Sequence, residues 1–386
     1  MASNGIGVSR ARRLFSITPS ILIFCFFFVA VCWVVSAEDR KPTEPTVDRT
    51  SIIIKAWRSS VWVNEKETFR WTPSISFLVN GPISAGSQLY VEYTIQPGKT
   101  WLTYNCDTGE ISADNYWTLS ECRSTDDKSF TNYVGSVNFS IKIKNELENT
   151  DKVLFAGKFK VKKNNLPPEQ ASLEYYVDYD WMMPIGLLTY TKMERMGGGG
   201  WYDTDSANPV ITMWFPGDGA NRGEPVAYLF YNGKKVGSST DTDNGTTRTH
   251  IGINDLDSAG HTYRCYEFII GKVCVYEKHL TANNLADWFH MDKNPGDYEV
   301  KVLWNGKLCR YAKFAVGPDG KIVDNGIATA NNLNVRNFVP FSGNWTDTVF
   351  IIPVKVISND GLIWDQNAWK LEALFGGPLK GFNPPQ

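Results

Sequence analysis

The sequence predicts a mainly β protein: two antiparallel β-sandwiches in tandem, followed by a short C-terminal extension. Three observations predict it. Short runs along the chain alternate apolar and polar residues with a period of two, the mark of a strand packed on one face. Asn232-Gly233 and Asn305-Gly306 fall between such runs, and Asn-Gly tolerates the positive φ of a tight hairpin turn. Stretches of the first half also reappear in the second.

Taken in order, the chain opens with Arg10, Arg12 and Arg13, an apolar run from Ile21 to Val35, and Val35-Ser36-Ala37 before polar Glu38. A basic region, a short apolar region and a small-residue site make a secretory signal over residues 1–37, and an uncleaved anchor is the rival reading. Localisation is then secreted, periplasmic or cell surface. Residues 38–50 form a polar, proline-containing lead-in.

Residues 51–164 are expected to form the first sandwich, with strands at 51–57, 74–79, 89–95, 137–144 and 153–163. The fourth is clearest: Val137, Phe139, Ile141 and Ile143 alternate with Asn138, Ser140, Lys142 and Lys144. Asn164 to Glu169 carries Pro167-Pro168 and reads as a linker. The second sandwich is expected over 165–318, with strands at 210–215, 226–232, 262–270, 273–278, 298–304 and 309–316. Residues 285–290 suit a short helix ended by Asn294-Pro295-Gly296. Residues 319–386 remain as an extension or small subdomain packed on the second sandwich. It holds a strand at 349–357 and a short helix at 366–375.

The repeat rests on particular residues. Pro73-Ser-Ile-Ser-Phe-Leu-Val79 lines up with Pro209-Val-Ile-Thr-Met-Trp-Phe215, and Lys158-Phe-Lys-Val161 with Lys313-Phe-Ala-Val316. The offset between copies grows along the chain, so the second copy carries an insertion. The run Gly296-Asp-Tyr-Glu-Val-Lys-Val-Leu-Trp-Asn-Gly-Lys, closing on Lys313-Phe-Ala-Val316, resembles the last hairpin of immunoglobulin-like modules of secreted and surface proteins. That resemblance implies a fold and leaves function open.

Formal net charge is −2, and cleavage at Ala37 would remove three arginines and make the chain more acidic. With no basic run, nucleic acid is a poor partner, and a membrane is reached only through an uncleaved signal. In an oxidising compartment Cys106, Cys122, Cys265, Cys274 and Cys309 are disulfide candidates. Cys106 with Cys122 is the preferred pair, and the odd count leaves the rest open. Asn138, Asn244 and Asn344 begin N-glycosylation sequons, at a frequency chance alone accounts for.

Three chemistries have candidate residues. His250, His261, His279 and His290 surround Cys265 and Cys274, a metal or catalytic centre over residues 250–290 in outline, although the spacing matches no standard zinc site. Calcium finds carboxylates two residues apart at Asp178/Asp180, Asp203/Asp205 and Asp241/Asp243, with Asp241 and Asp243 the foremost metal candidates. Such residues also form turns for backbone reasons. Carbohydrate finds Trp101, Trp117, Trp201, Trp214 and Trp345, with Trp201 and Tyr202 beside Gly197–Gly200 the foremost pair, although large aromatics commonly fill cores. The chain carries no nucleophile elbow, zincin helix or phosphate loop. The expected role is therefore a non-catalytic structural, adhesive or assembly protein, with an extracellular protein, a glycan or its own copies as partner and no required cofactor.

Overall fold

The computed structural model describes residues 44–111, 116–119, 122, 129–163, 175–197, 200–216, 223–241, 245–250, 263–276, 287–333, 337–339, 344–346, 349–358 and 364–386. The expected signal and lead-in up to residue 43, and the 164–169 linker, lie outside them. Among the described residues no helix is long and apolar enough to cross a membrane.

The chain is mainly β, in curled antiparallel sheets. A first set of strands comprises β1 (Thr46–Val63), β2 (Lys66–Asn80), β3 (Ser87–Thr94), β4 (Leu102–Asn105) and β5 (Thr108–Ile111). It continues with β6 (Tyr116–Leu119), β7 (Gly135–Asn145), β8 (Thr150–Lys163) and β9 (Tyr175–Val177). A second set comprises β10 (Ile185–Gly197), β11 (Gly200–Pro216), β12 (Val226–Tyr231), β13 (Lys234–Ser238), β14 (Thr246–His250) and β15 (Tyr263–Ile269). Then come β16 (Val273–Cys274), β17 (Phe289–His290), β18 (Gly296–Trp304), β19 (Lys307–Val316), β20 (Asn337–Val339), β21 (Asn344–Thr346) and β22 (Phe350–Val356). Only the short β16–β17 pair is parallel among the described pairings.

The alternation read in the sequence is realised where one face is covered. Along β7, Val137, Phe139, Ile141 and Ile143 are buried and Asn138 is exposed. Asn305 (φ 49°) and Gly306 (φ 75°) make the turn between β18 and β19, and Asn232 (φ 48°) and Gly233 (φ 74°) the turn between β12 and β13. Both hairpins are of the kind Asn-Gly favours. Of the helix expected over 285–290, residues 285 and 286 lie outside the described residues, while Phe289 and His290 pair as β17 with β16 and a single 3₁₀ turn follows at Met291–Lys293. Tertiary pairing overrides a weak local preference there.

Strand order repeats between the sets. The first has a four-stranded sheet β1-β2-β6-β5 and a five-stranded sheet β4-β3-β7-β8-β9. The second runs as one nine-stranded sheet, β13-β12-β18-β19-β22-β10-β11-β15-β14. Divided between β22 and β10, that sheet yields the same two orders, strand for strand. Register agrees as well. Ile54 pairs with Ile75 and Leu188 with Ile211, and Ile75 and Ile211 are matched residues of the aligned segments. Gly135 opposite Val161 and Gly296 opposite Val316 open the matching hairpins, with φ of 140° and 139°.

The sets differ at one seam. In the second, β22 pairs with β10 from Ile185↔Pro353 to Leu188↔Phe350 and closes the sheet. Gly186 is the residue that lets it approach: a Cβ there would meet Ile352 and Val354 side chains at 2.8 Å. In the first, no described strand pairs with the outer edge of β1, and Ile52 stands where β10 has Gly186.

Two cores fill the molecule. The first joins Ile54, Phe77, Val91, Phe139 and Phe159 from both sheets of the first set. The second lies inside the curled sheet, around Met213, Phe215, Leu229, Tyr298 and Val302. The C-terminal segment carries α1 (Ile327–Ala330) and α2 (Trp369–Glu372), the latter inside the helix expected over 366–375. Its Leu374, Phe375, Leu379 and Phe382 belong to the first core, and Phe375 packs edge-on to Phe139 of β7. The segment after residue 319 therefore serves both sets: β22 pairs with β10 and β19 and puts Ile322, Ile352 and Val354 into the second core, while Leu374, Phe375, Leu379 and Phe382 cover the first.

Candidate functional site

The densest polar constellation sits where the chain passes from β9 to β10. Lys162, near the end of β8, holds its ammonium 2.7 Å from Asp178 Oδ2 and 3.2 Å from Asp180 Oδ2. The Tyr263 hydroxyl donates toward Asp180 Oδ1 (2.6 Å) and Asp178 Oδ1 (3.0 Å). The backbone N–H of Asp180 donates to Asp178 Oδ1, and that of Asp365 to Asp180 Oδ2. Every oxygen of the two buried carboxylates thus accepts a hydrogen bond, as buried charge requires. Burial works against the Lys162 charge, but the hydrogen bond and charge of Asp178, then those of Asp180, outweigh it and raise its pKa. Burial and the two carboxylates together push the Tyr263 phenol well up.

This cluster is a lock. Tyr179, between the two aspartates, stacks on Trp214 with centroids 5.0 Å apart and on Trp181 at 5.5 Å. Its hydroxyl accepts from the Ile54 N–H (3.1 Å) and donates to the Ile54 carbonyl (2.9 Å). A tyrosine hydroxyl therefore serves β1 where, in the second set, strand β22 serves β10. Phe375 packs edge-on against Trp181 and Tyr179. Calcium was one reading of Asp178 and Asp180; Lys162 supplies the cation that these carboxylates hold.

The other sequence candidates fall in different places. Asp241 lies 3.7 Å from Lys235 Nζ, and its carbonyl accepts from the Gly245 N–H; Asp243 lies outside the described residues. Among the described residues no group of three or more His, Cys, Asp or Glu is placed to hold a metal. His261 and His279 lie outside them, His250 is on β14 and His290 on β17. Trp201 and Tyr202 are on β11, paired with Met196 and Arg195 of β10. Trp214 is buried in the core, which removes it from a sugar platform. Trp101 packs edge-on to Trp71. Cys106 and Cys122 form the expected disulfide, while Cys265, Cys274 and Cys309 are buried thiols. Burial, then Glu267, pushes the Cys265 thiol well up, which suppresses its reactivity.

A feature the sequence reading did not find is the outer part of the β1–β2 hairpin. The ladder continues without a break from Ile53↔Ser76 to Val63↔Lys66. From Trp57 to Arg70, no side chain that the structure describes is buried. Seven residues of extended chain reach about 20 Å past the covered part of the strand. Asn64 (φ 51°) and Glu65 (φ 63°) make the turn at its tip. Trp62 is 70% exposed and Trp57 39%. Being five residues apart on one strand, they face opposite sides, so they cannot form a flat row for one sugar chain. Neither outer edge of this arm pairs with another described strand. Val61-Trp62-Val63 just before Asn64 was the available signal, two β-formers around an aromatic leading into a turn.

No family model matches the chain, and neither a curated protein nor a solved structure matches it.

Proposed function

We propose that this is a non-catalytic assembly or adhesion protein of the cell surface or extracellular space, built from a duplicated immunoglobulin-like module. The observation that carries the reading is the exposed β1–β2 arm. Unpaired strand edges bearing large exposed apolar residues are templates for pairing with another chain, and proteins without such a use blunt them. The best-formed polar cluster, at Lys162, Asp178, Asp180 and Tyr263, has its hydrogen-bonding capacity used in holding the chain together, which favours a structural role over catalysis. The repeated strand order and the matched glycines support duplication. The basic and apolar N-terminal regions support export.

Light scattering at micromolar concentration tests the assembly role. The purified chain is expected to form species larger than a monomer, and the double variant Trp57→Ser/Trp62→Ser to form far less of them. Monomeric wild-type chain alongside saturable binding to one polysaccharide class would replace this reading with a carbohydrate-binding one.

A further inference from the structure

We propose that the C-terminal segment Ala368–Phe382 is a strained strap that closes the first set of strands, latched by Arg49, and that it opens as a unit while β22 keeps the second set closed.

The matched hairpins locate the seam it fills. From Gly135↔Val161 to Ile141↔Phe155, and from Gly296↔Val316 to Val302↔Arg310, the two ladders run in step, and each then skips one residue of its second strand. Phe155 therefore matches Arg310, and Gly157 matches Ala312. In the second set β22 lies against this stretch, pairing Val354 with Ala312, and its other edge pairs with β10. In the first set β9 pairs with β8 further along, from Val161 to Lys163. The strap comes to the earlier stretch instead: a Cβ on Gly157 would run into the Phe375 carbonyl.

An arginine grips the C-terminal chain in each seam, from opposite walls. Arg310 of β19 places Nη2 3.9 Å from the Met183 sulfur and donates from Nη1 to the Ser358 carbonyl at 2.6 Å. Counted back from the matched Ile53 and Leu187, Met183 stands where the first set has Arg49. Arg49 lies over the ring of Phe155, 5.9 Å from its centroid, and donates to the Ala373 carbonyl at 3.2 Å.

The two closures differ in strain. β22 enters a ladder on each side, which ties its backbone to β10 and β19. The described backbone bonds of the strap are local, as from the Leu371 N–H to the Ala368 carbonyl and from the Phe382 N–H to that of Leu379. Leu374 (φ 49°) and Phe375 (φ 63°) are consecutive left-handed residues, a conformation that bulky side chains keep only where their surroundings impose it. Burial of Leu374, Phe375, Leu379 and Phe382 in the first core imposes it, with Arg49 holding the residue before them. Opening relaxes that backbone and leaves the local bonds intact, which marks the strap as a unit of low local stability.

Hydrogen exchange of the native full chain, read by mass spectrometry over 368–382 and over β22, tests the proposal. The strap is expected to exchange about tenfold faster than β22 or more. Arg49→Met is expected to speed the strap about another tenfold and to leave β22 unchanged. Gly376→Ala, whose Cβ would push against the Arg49 guanidinium, is expected to act in the same direction without altering a strand. Strap and β22 exchanging at one rate in the wild-type chain overturns independent opening. A strap rate unmoved by these substitutions overturns the latch.

Discussion

At the residue scale, the sharpest consequence attaches to Tyr179. Its hydroxyl satisfies both the N–H and the carbonyl of the fully buried Ile54. Tyr179→Phe keeps the ring stacking but strands two buried backbone groups, an expected loss of about 2–3 kcal/mol in urea unfolding. Asp48 gives a pH dependence. Its carboxyl is buried, and burial, only partly offset by hydrogen bonds from Thr50 and Ser51, raises its pKa from 3.8 to about 6. The native state therefore binds this proton more tightly than the unfolded chain. The stability it contributes is fully present below pH 3.8 and is lost as pH rises through about 6. Over that window Asp48→Asn is expected to flatten the pH profile by about 3 kcal/mol, read from denaturant midpoints at each pH; an unchanged slope would refute the assignment. None of this was legible in the sequence. Lys162 and Tyr263 meet Asp178 from 16 and 85 residues away, and no local pattern encodes such a meeting.

At the scale of elements, the strands that read clearly are those with one covered face. The alternation of β7 was legible because the core enforces it, and the Asn-Gly turns because their backbone demands those residues. The β1–β2 arm was not, since no side chain described from Trp57 to Arg70 is buried and no period of two is imposed on residues 58–70. The strand expected at 51–57 is thus the inner part of a much longer one. Two glycines separate backbone strain from close approach. Gly306 has φ 75° with open space where a Cβ would stand, so Gly306→Ala is expected to cost about 1 kcal/mol from conformation alone. Gly186 sits in the β10–β22 seam with Ile352 and Val354 at 2.8 Å from the Cβ position. Gly186→Ala is expected to cost about 1–3 kcal/mol by overpacking the closure. Thermal unfolding of both variants checks the ranking, and equal losses would argue against a tight seam.

For the molecule as a whole, the proposed duplication would account for the matching strand orders, and the seam is where the two sets differ. The second set closes on itself through β22. The first is finished by Tyr179, by the junction around Asp178 and Asp180, and by the C-terminal segment with Phe375, with no described strand on the outer reach of β1. The mainly β character and the Cys106–Cys122 pair were legible from pattern and composition. The candidate surface was not, because an exposed edge is defined by a strand that is missing.

The most direct measurement is sedimentation velocity of the wild-type chain and of Trp57→Ser/Trp62→Ser over roughly 1–100 µM, the range in which a modest strand-addition interface would show. Wild-type chain is expected to pass from monomer to larger species across that range, with the double variant remaining monomeric because it removes the two exposed indoles of the arm. Identical behaviour of the two, whether both monomeric or both associating, would contradict assembly through β1.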